Sequence, residues 1–266
     1  MKASQMSARR ITLTTDFGEY DTYVAQMKGA ILSRNPSATI IDGTHKIPRH
    51  DITRGAVLLG ELLAAFPGGS IHVVVVDPGV GSDRRIVIAS IAGQFVVAPD
   101  NGLFTLVSDR VEQVVEFHHL DESGSVSSTF HGRDIMAPVA ADLSLGREPT
   151  DFGPVTDEPL ITIDLPPAKL TGDIIQGSVR AIDGFGNVTT NIAESMLHGH
   201  EPKSLVVEIA ERRLEGLHST YANIAAGELL ALIGSSNFLE IAANQASAEK
   251  IIGCHVGDEV RVRCTG

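Results

Sequence analysis

Residues 71–76 read Ile-His-Val-Val-Val-Val, an almost unbroken run of β-branched side chains. Such runs are typical of strands that are buried on both faces of a parallel sheet, because helices cover both sides of these sheets. Residues 77–81, Asp-Pro-Gly-Val-Gly, follow directly and are of the types that end strands. The run therefore predicts a central strand of an α/β domain, with a polar loop at its carboxyl end.

The segments before this strand repeat the order of strand, loop and helix. Residues 11–15 are rich in β-branched side chains and end at Asp16-Phe17-Gly18, and residues 39–42 form a second run of this kind. Apolar residues at helical spacing follow each run, first over residues 21–35 and then after Asp51, a residue type that caps helices. This alternation predicts parallel strands connected by helices.

Beyond residue 85 the pattern indicates a mixed sheet. Residues 86–91 and 95–98 flank a short Ala-Gly-Gln turn, which predicts a β-hairpin, and residues 111–117 predict a further strand. His131 precedes apolar residues at helical spacing, so we expect it at a helix N-terminus with Asp134 as the cap. The amide groups at such a position can orient anions and water.

A change of composition after about residue 145 indicates a second domain. The prolines in this region are Pro149, Pro154, Pro159, Pro166 and Pro167. The β-type segments that follow are residues 174–182, 205–209, 229–233 and 259–262, with one short helix expected over residues 246–252. We predict an N-terminal α/β domain with a mostly parallel or mixed central sheet (residues 1–165). A smaller C-terminal all-β domain, sandwich or barrel-like, is predicted for residues 166–266.

Charge and hydropathy exclude several classes of protein. The chain has 33 acidic against 21 basic residues, a net charge of −12, and no lysine- or arginine-rich run, so we expect no nucleic-acid partner. No apolar stretch approaches the roughly 20 residues that span a bilayer, so we expect no membrane partner. The first ten residues lack the apolar segment of a signal peptide, and two cysteines are too few for a disulfide scaffold. These features favour a cytoplasmic protein.

Three polar residues mark candidate ligand-binding loops. Asp16, Asp77 and His131 lie at the ends of predicted elements of the first domain, where open α/β sheets collect ligands. Taken singly, each has a simpler interpretation as a turn residue or a solvated histidine. Asp16-Phe17-Gly18 has no kinase catalytic loop to accompany it, and the chain has neither a dinucleotide fingerprint nor a phosphate loop. The ten histidines show no metal-binding spacing, so we expect no metal.

Five motifs favour a functional interpretation when they are taken together. They are Thr14-Thr15-Asp16-Phe17-Gly18, Val76-Asp77-Pro78-Gly79-Val80-Gly81 with Arg84-Arg85, Pro99-Asp100-Asn101-Gly102, Thr129-Phe130-His131-Gly132-Arg133-Asp134, and Asp183-Gly184-Phe185-Gly186-Asn187 with Thr190-Asn191-Ile192. In order and spacing, over nearly the full chain, this set resembles the S-adenosyl-L-methionine (SAM) hydroxide adenosyltransferases, also called adenosine-forming SAM hydrolases. The SAM-dependent fluorinase and chlorinase belong to the same superfamily.

The resemblance implies a fold, an assembly and a reaction. It implies the two domains described above, in a homotrimer that binds SAM between the first domain of one subunit and the second domain of its neighbour. The implied reaction is hydrolysis of SAM to adenosine and L-methionine, with SAM as the substrate and no cofactor. The Asp-Arg-His set of the hydrolases corresponds to Asp77, Arg84 and His131, and all three residues are present.

These residue types suit the chemistry. The sulfonium of SAM makes ribose C5′ electrophilic and leaves as a neutral thioether, so the difficulty lies in placing a water-derived nucleophile in line behind the C–S bond. A carboxylate and an imidazole can orient the water and accept its proton, while a guanidinium holds the carboxylate. The residue types leave open which group takes the proton.

By the same resemblance, five residues would bind the substrate. Asp16 would hold the ribose hydroxyls, a role that suits a carboxylate with two acceptor oxygens. Asp183 would pair with the ammonium of the methionine moiety, and Asn187 would hydrogen-bond the adenine. Ser236 and Asn237 would lie at the methionine carboxylate.

Three alternatives stay open at this point. A SAM-dependent halogenase is disfavoured because halogenases have other residues at the position of Asp77, with Tyr in the fluorinase, and because the fluorinase insertion after the Asp100 region is missing here. A SAM-binding sensor without turnover is disfavoured by the intact catalytic set. Residues 183–187 also suit a plain hairpin turn of Asp, Gly and Asn, with Phe185 in the core.

Overall fold

The computed structural model describes residues 9–117 and 126–264. The chain divides into two compact units, Met1–Asp164 and Leu165–Gly266. Each unit has a hydrophobic core made of its own residues. The α/β class predicted for the chain, with an all-β region after the α/β region, is confirmed.

The first unit begins with alternating strands and helices and continues with consecutive strands and a last helix. Its elements are β1 (Arg10–Thr15), α1 (Tyr23–Arg34), β2 (Thr39–Thr44), α2 (Ile52–Ala65), β3 (Ile71–Val75), β4 (Ile86–Ile91), β5 (Gln94–Pro99), β6 (Val111–Glu116) and α3 (Ala137–Ser144). The strands form one sheet in the order β2-β1-β3-β5-β4-β6. The first four are parallel neighbours, whereas β4 runs antiparallel to both β5 and β6, so the predicted mixed sheet is confirmed.

Strand β3 is buried along its whole length and separates two apolar layers. Val73 belongs to the core that contains Met27 of α1, and Val74 belongs to the core that contains Leu59 of α2. Successive side chains of a strand point to opposite faces, so helices on both sides favour apolar residues on both faces of the strand, and His72 is the one polar residue of β3. Full burial of each such side chain stabilises the fold by about 1.5 to 3 kcal/mol.

Two predicted helix starts have different outcomes. Asp51 caps α2 as expected, because its Oδ1 accepts a hydrogen bond from the Arg54 amide at 2.8 Å. The prediction that Asp134 caps the later helix is wrong: a π-helical turn, Gly132–Met136, begins directly after His131 and continues into α3. Asp134 therefore lies inside the first turn, where its carboxylate accepts from the Ser127 amide and pairs with Arg133.

The second unit is mostly antiparallel sheet. Its elements are β7 (Lys169–Thr171), β8 (Ile174–Ile182), β9 (Val188–Ala193), β10 (Leu205–Ile209), β11 (Arg212–Glu215), β12 (Leu229–Ile233), β13 (Phe238–Ala243), α4 (Ala248–Ile252) and β14 (Glu259–Cys264). The strand order is β11-β10-β14-β8-β9-β13-β12, with β7 beside β8. His218, which follows β11, forms a bridge to Leu232 of β12 and brings the two ends of the sheet together. The sheet is therefore nearly closed and barrel-like.

Among the residues that the structure describes, no helix is both long enough and apolar enough to cross a membrane.

Candidate active site

A cleft of about 360 Å³ lies at the carboxyl end of the parallel strands of the first unit. Three of its lining residues are the polar residues selected from the sequence: Asp16 follows β1, Asp77 follows β3, and His131 precedes the π-helical turn. The other lining residues are Phe17, Asp21, Tyr23, Arg49, His50, Val75, Val80, Thr129, Phe130 and Gly132. Open α/β sheets bind ligands at this edge, because consecutive parallel strands end there and their loops converge.

Asp77, Arg84 and His131 form one hydrogen-bonded set at this cleft. Arg84 Nε donates to Asp77 Oδ1 at 2.6 Å, and Arg84 Nη2 donates to the second carboxylate oxygen. The same Nη2 also donates to His131 Nδ1 at 2.9 Å. The Asp77 and Arg84 side chains are only 4% and 8% exposed, so water screens their attraction weakly.

The contact with Arg84 fixes the tautomer of His131. A guanidinium donates hydrogen bonds and has no acceptor, so His131 Nδ1 must present its lone pair to Arg84. A neutral imidazole with an unprotonated Nδ1 carries its proton on Nε2. In this arrangement His131 is a hydrogen-bond donor at Nε2, and Asp77 is the acceptor of the set.

A glycine explains how the Asp77 loop packs beside His131. Gly81 has a φ of +81°, a conformation that favours glycine. A Cβ atom at this position would lie 2.5 Å from the Ser128 carbonyl oxygen, on the segment that leads to His131. Any side chain here would therefore push apart the two segments that supply the set.

The Asp16 loop is held by backbone contacts on both sides. Asp16 Oδ2 accepts a hydrogen bond from the His50 amide at 2.9 Å, and the Gly18 amide donates to the His45 carbonyl at 2.7 Å. His45 also contacts the Thr15 hydroxyl through Nδ1 at 3.0 Å. One carboxylate oxygen of Asp16 is therefore used by the fold, and the side chain lies on the wall of the cleft.

An aromatic cluster forms another wall of the cleft. The ring centroids of Phe17, Tyr23 and Phe130 lie 5.3 to 5.7 Å apart in tilted or edge-to-face pairs. The Arg133 guanidinium lies over the Phe130 ring at 4.9 Å. The cleft therefore has an apolar side, which suits a flat heterocycle or an aliphatic chain.

Several cleft residues were missed by the sequence analysis. Arg49 and His50 lie in the loop that follows β2, so the rule that points to the loops after β1 and β3 would have selected them too. Asp21 and Tyr23 lie between the Asp16 loop and the start of α1, and no motif of known chemistry marks them.

In the second unit, Asp183 and Asn187 hold a tight turn between β8 and β9. Asp183 Oδ1 accepts from the amides of Phe185 and Asn187 at 2.8 and 2.9 Å, and Oδ2 accepts from Asn187 Nδ2 at 3.0 Å. This is the hairpin turn considered as the plain alternative, and it brings the two residues together. The suggestion that Phe185 lies in the core is wrong, because its side chain is 82% exposed.

Ser236 and Asn237 lie in the turn between β12 and β13 of the same unit. Asn237 adopts a left-handed conformation with a φ of +62°, and its amide donates to the Gly234 carbonyl at 3.0 Å. Close to this turn, Tyr221 OH donates to the Glu240 carboxylate at 2.7 Å. That bond raises the pKa of Tyr221 to about 12, and burial raises the pKa of the Glu240 carboxyl above its ordinary value.

Within the part of the chain that the structure describes, no group of three or more His, Cys, Asp or Glu side chains could hold a metal ion. The expectation that the protein uses no metal stays a prediction.

Comparisons with known proteins agree with these motifs. The (R)-S-adenosyl-L-methionine hydrolase of Salinispora tropica is 35% identical over 95% of this chain and 97% of its own length. A fluorinase of Nocardia brasiliensis is 28% identical over 95% of this chain and 96% of its own length. A crystal structure of an uncharacterized conserved protein from Thermotoga maritima superposes with a TM-score of 0.89 at 32% identity, covering 95% of this chain and 99% of that one.

The sequence models of one protein family match most of both units. The SAM hydroxide adenosyltransferase N-terminal domain matches residues 11–153, which include the cleft and its Asp77, Arg84 and His131 set. The C-terminal domain of the same family matches residues 177–261, which include both turns described in the second unit. The chain belongs to the SAM hydroxide adenosyltransferase family.

Proposed function

We propose that this protein hydrolyses SAM to adenosine and L-methionine. The observation that carries the proposal is the carboxylate of Asp77, which Arg84 holds through two hydrogen bonds beside His131 at the edge of the cleft. Family membership and the 35% identity to a SAM hydrolase support the same activity.

The reaction is a substitution at ribose C5′. The oxygen of a water molecule attacks C5′, the C5′–S bond breaks, and its electron pair moves to sulfur, which becomes the neutral thioether of methionine. The leaving group therefore needs no proton, whereas the attacking water must lose one. Bulk water has a pKa near 15.7 and is a poor nucleophile at neutral pH, so the enzyme must orient it and accept its proton.

The hydrogen bonds of the set support one division of these two tasks. Arg84 occupies the Nδ1 lone pair of His131, so Asp77 is the member of the set that accepts a proton from water. His131 orients the water or the developing hydroxide as a donor from Nε2. Arg84 fixes both groups and stabilises the negative charge that develops between them.

The remaining predicted contacts belong to substrate binding. In this proposal Asp16 binds the ribose hydroxyls, Asp183 the methionine ammonium, Asn187 the adenine, and Ser236 and Asn237 the methionine carboxylate. The enzyme uses no cofactor, acts as a homotrimer and works in the cytoplasm.

The test is to incubate SAM with the protein in ¹⁸O-labelled water at high chloride concentration and to analyse the products by chromatography and mass spectrometry. We expect methionine and adenosine with the label in the 5′-hydroxyl, because attack occurs at carbon. A 5′-halogenated nucleoside as the main product would favour the halogenase alternative. Unchanged SAM that is nevertheless bound would favour a sensor.

A further inference from the structure

The Asp100-Asn101 motif has no task in the proposed reaction, although it lies next to the catalytic loop. Strand β5 lies between β3 and β4, and the loop that carries Asp77 and Arg84 leaves β3 and enters β4. This loop must therefore pass over the carboxyl end of β5. Asp100 and Asn101 follow β5 directly, so the topology places them between the two ends of the loop.

Asn101 holds the first end of the loop. Its Nδ2 donates to the carbonyl oxygen of Val76 at 2.8 Å, and Val76 immediately precedes Asp77. This bond fixes the peptide plane that joins Val76 to Asp77, and that plane sets the direction in which the Asp77 side chain leaves the backbone.

Asp100 holds the second end of the loop. Its amide donates to the Arg85 carbonyl at 3.0 Å, and its Oδ2 accepts from Arg85 Nε at 3.1 Å. Its other oxygen, Oδ1, accepts from the Ile161 amide at 2.8 Å, and the whole residue is fully buried. Arg85, the neighbour of Arg84, is therefore tied to the end of β5 through both its backbone and its side chain.

We propose that Asp100 and Asn101 are positioning residues that hold both ends of the catalytic loop, so that the Asp77 carboxylate and the Arg84 guanidinium meet beside His131. This inference rests on the proposed function of that set. The loop contains Gly79 and Gly81, which allow many backbone conformations. Fixing both ends of the loop therefore restricts the distance between the Asp77 and Arg84 side chains.

The hydrogen bonding of Asn101 favours this role over a purely structural one. Its Oδ1 is buried and has no partner among the described residues. Asn35 offers a matched comparison in the same unit: its Nδ2 donates to Ser144 Oγ at 2.8 Å and its Oδ1 accepts from the Ser37 amide at 3.1 Å. An amide with both ends paired stabilises the fold more than one with a single bond.

The experiment compares Asn101→Ala with Asn35→Ala in the full-length protein. We expect Asn101→Ala to lower kcat for SAM hydrolysis by roughly 10- to 100-fold while KM changes less than about threefold, because small displacements of catalytic groups act on the chemical step. Asn35→Ala should keep kcat within about twofold and should lower Tm at least as much as Asn101→Ala. Asn101→Leu, which keeps the branched shape of the side chain without its hydrogen bond, replaces Asn101→Ala if that variant does not fold.

A double variant separates positioning from a general loss of structure. If Asn101 acts through Asp77, the Asp77→Asn/Asn101→Ala protein should be no slower than Asp77→Asn alone. Multiplicative losses, or a wild-type kcat in folded Asn101→Ala and Asn101→Leu, would overturn the inference. If the wild type itself does not hydrolyse SAM, the proposed function fails. In that case, crystal structures of the wild type and of Asn101→Ala test the positioning role. A displaced Asp77–Arg84 pair in the variant would support it, and an unchanged pair would refute it.

Discussion

Asp77 and Arg84 form a buried ion pair. Both side chains are more than 90% buried, so removing either one leaves the other charged, buried and without its main partner. Such losses typically cost about 3 to 5 kcal/mol, a large share of the stability of a domain. Truncation to alanine would therefore mix a folding defect with a catalytic one. Asn at position 77 keeps the shape of the side chain and one acceptor oxygen, so it tests the chemistry more directly.

We predict that substitutions of two aspartates of the cleft affect different steps, catalysis in one case and substrate binding in the other. Asp77→Asn should lower kcat by about 100-fold or more and leave the Kd for SAM within about threefold, because the lost group acts on the attacking water. Asp16→Ala should mainly raise the Kd, because its task is to bind the ribose. Calorimetry gives the Kd values, and single-turnover kinetics gives the rate of the chemical step. A wild-type rate for Asp77→Asn would exclude this residue as the proton acceptor.

At the level of single residues, the sequence alone does not show which partner a side chain contacts or how exposed it is. Arg84 and Arg85 are identical neighbours, and only the resemblance to a family singled out Arg84 before the structure was known. The structure directs Arg84 to Asp77 and Arg85 to Asp100, a division that depends on which strand each side chain faces. Exposure is equally hidden in the sequence, because Phe185 looks like a core residue and is largely exposed.

At the level of elements, local sequence signals were sufficient to predict a central strand and the start of a helix. The β-branched run of β3 and the Asp51 cap of α2 each act within a few residues, so the sequence predicted both. The π-helical turn after His131 was not predicted, because the cap propensity of Asp134 carries no information about π-helical hydrogen bonding. The position of the cleft was predicted from topology rather than from a local signal. Parallel strands end at a common edge of the sheet, whatever residues follow them.

A buried histidine on β3 links three strands and one helix. His72 is fully buried; its Nδ1 lies 2.8 Å from the Thr12 hydroxyl and its Nε2 lies 2.8 Å from Gln94 Oε1. Gln94 Nε2 in turn donates to the Leu63 carbonyl at the end of α2. Because Gln94 presents its oxygen to the ring, His72 donates from Nε2 and accepts from Thr12 at Nδ1. The network therefore fits the neutral imidazole.

This network predicts a loss of stability in acid. Burial lowers the pKa of His72 below its ordinary value of 6.5. Below pH 6.5 the unfolded chain binds a proton at this residue before the folded protein does, so acid favours unfolding. The loss is complete only below the lowered, folded-state pKa, and for one titrating group its slope cannot exceed about 1.4 kcal/mol per pH unit.

The measurement is the unfolding free energy of wild type and His72→Asn between pH 5 and pH 8. His72→Asn should be less stable at pH 8, because the network is altered, and should lose less stability than wild type as the pH falls. His255→Asn, at a histidine whose side chain is 84% exposed, is the control and should keep the slope of the wild type. Equal slopes for His72→Asn and wild type would show that His72 does not couple folding to pH.

For the whole molecule, the distribution of the predicted binding residues is the main feature. Asp16, Asp77 and His131 belong to the first unit, and Asp183 and Asn187 belong to the second. Each unit also exposes an aromatic side chain beside its binding residues: Tyr20 is 99% exposed and Phe185 is 82% exposed. Isolated exposed aromatic side chains are common in folded proteins. These two are of interest because each lies beside predicted binding residues of its unit.

Complementation between two variants can test an active site that is shared between subunits. If the proposed homotrimer exists and places the first unit of one subunit against the second unit of its neighbour, two variants with defects in different units should complement each other. Asp77→Asn damages the first unit and Asp183→Asn the second. A mixed trimer then contains one site in which both contributing units are wild type, or about a third of its sites.

The two chains are co-expressed with different tags, mixed oligomers are purified through both tags, and light scattering gives their mass. We expect these purified mixed trimers to hydrolyse SAM at about a third of the wild-type rate per subunit, far above either variant alone. If one chain supplied the whole site, every site would carry one defect and the mixture would be no faster than its components. A monomer that binds SAM with full affinity would likewise contradict a site built from two subunits.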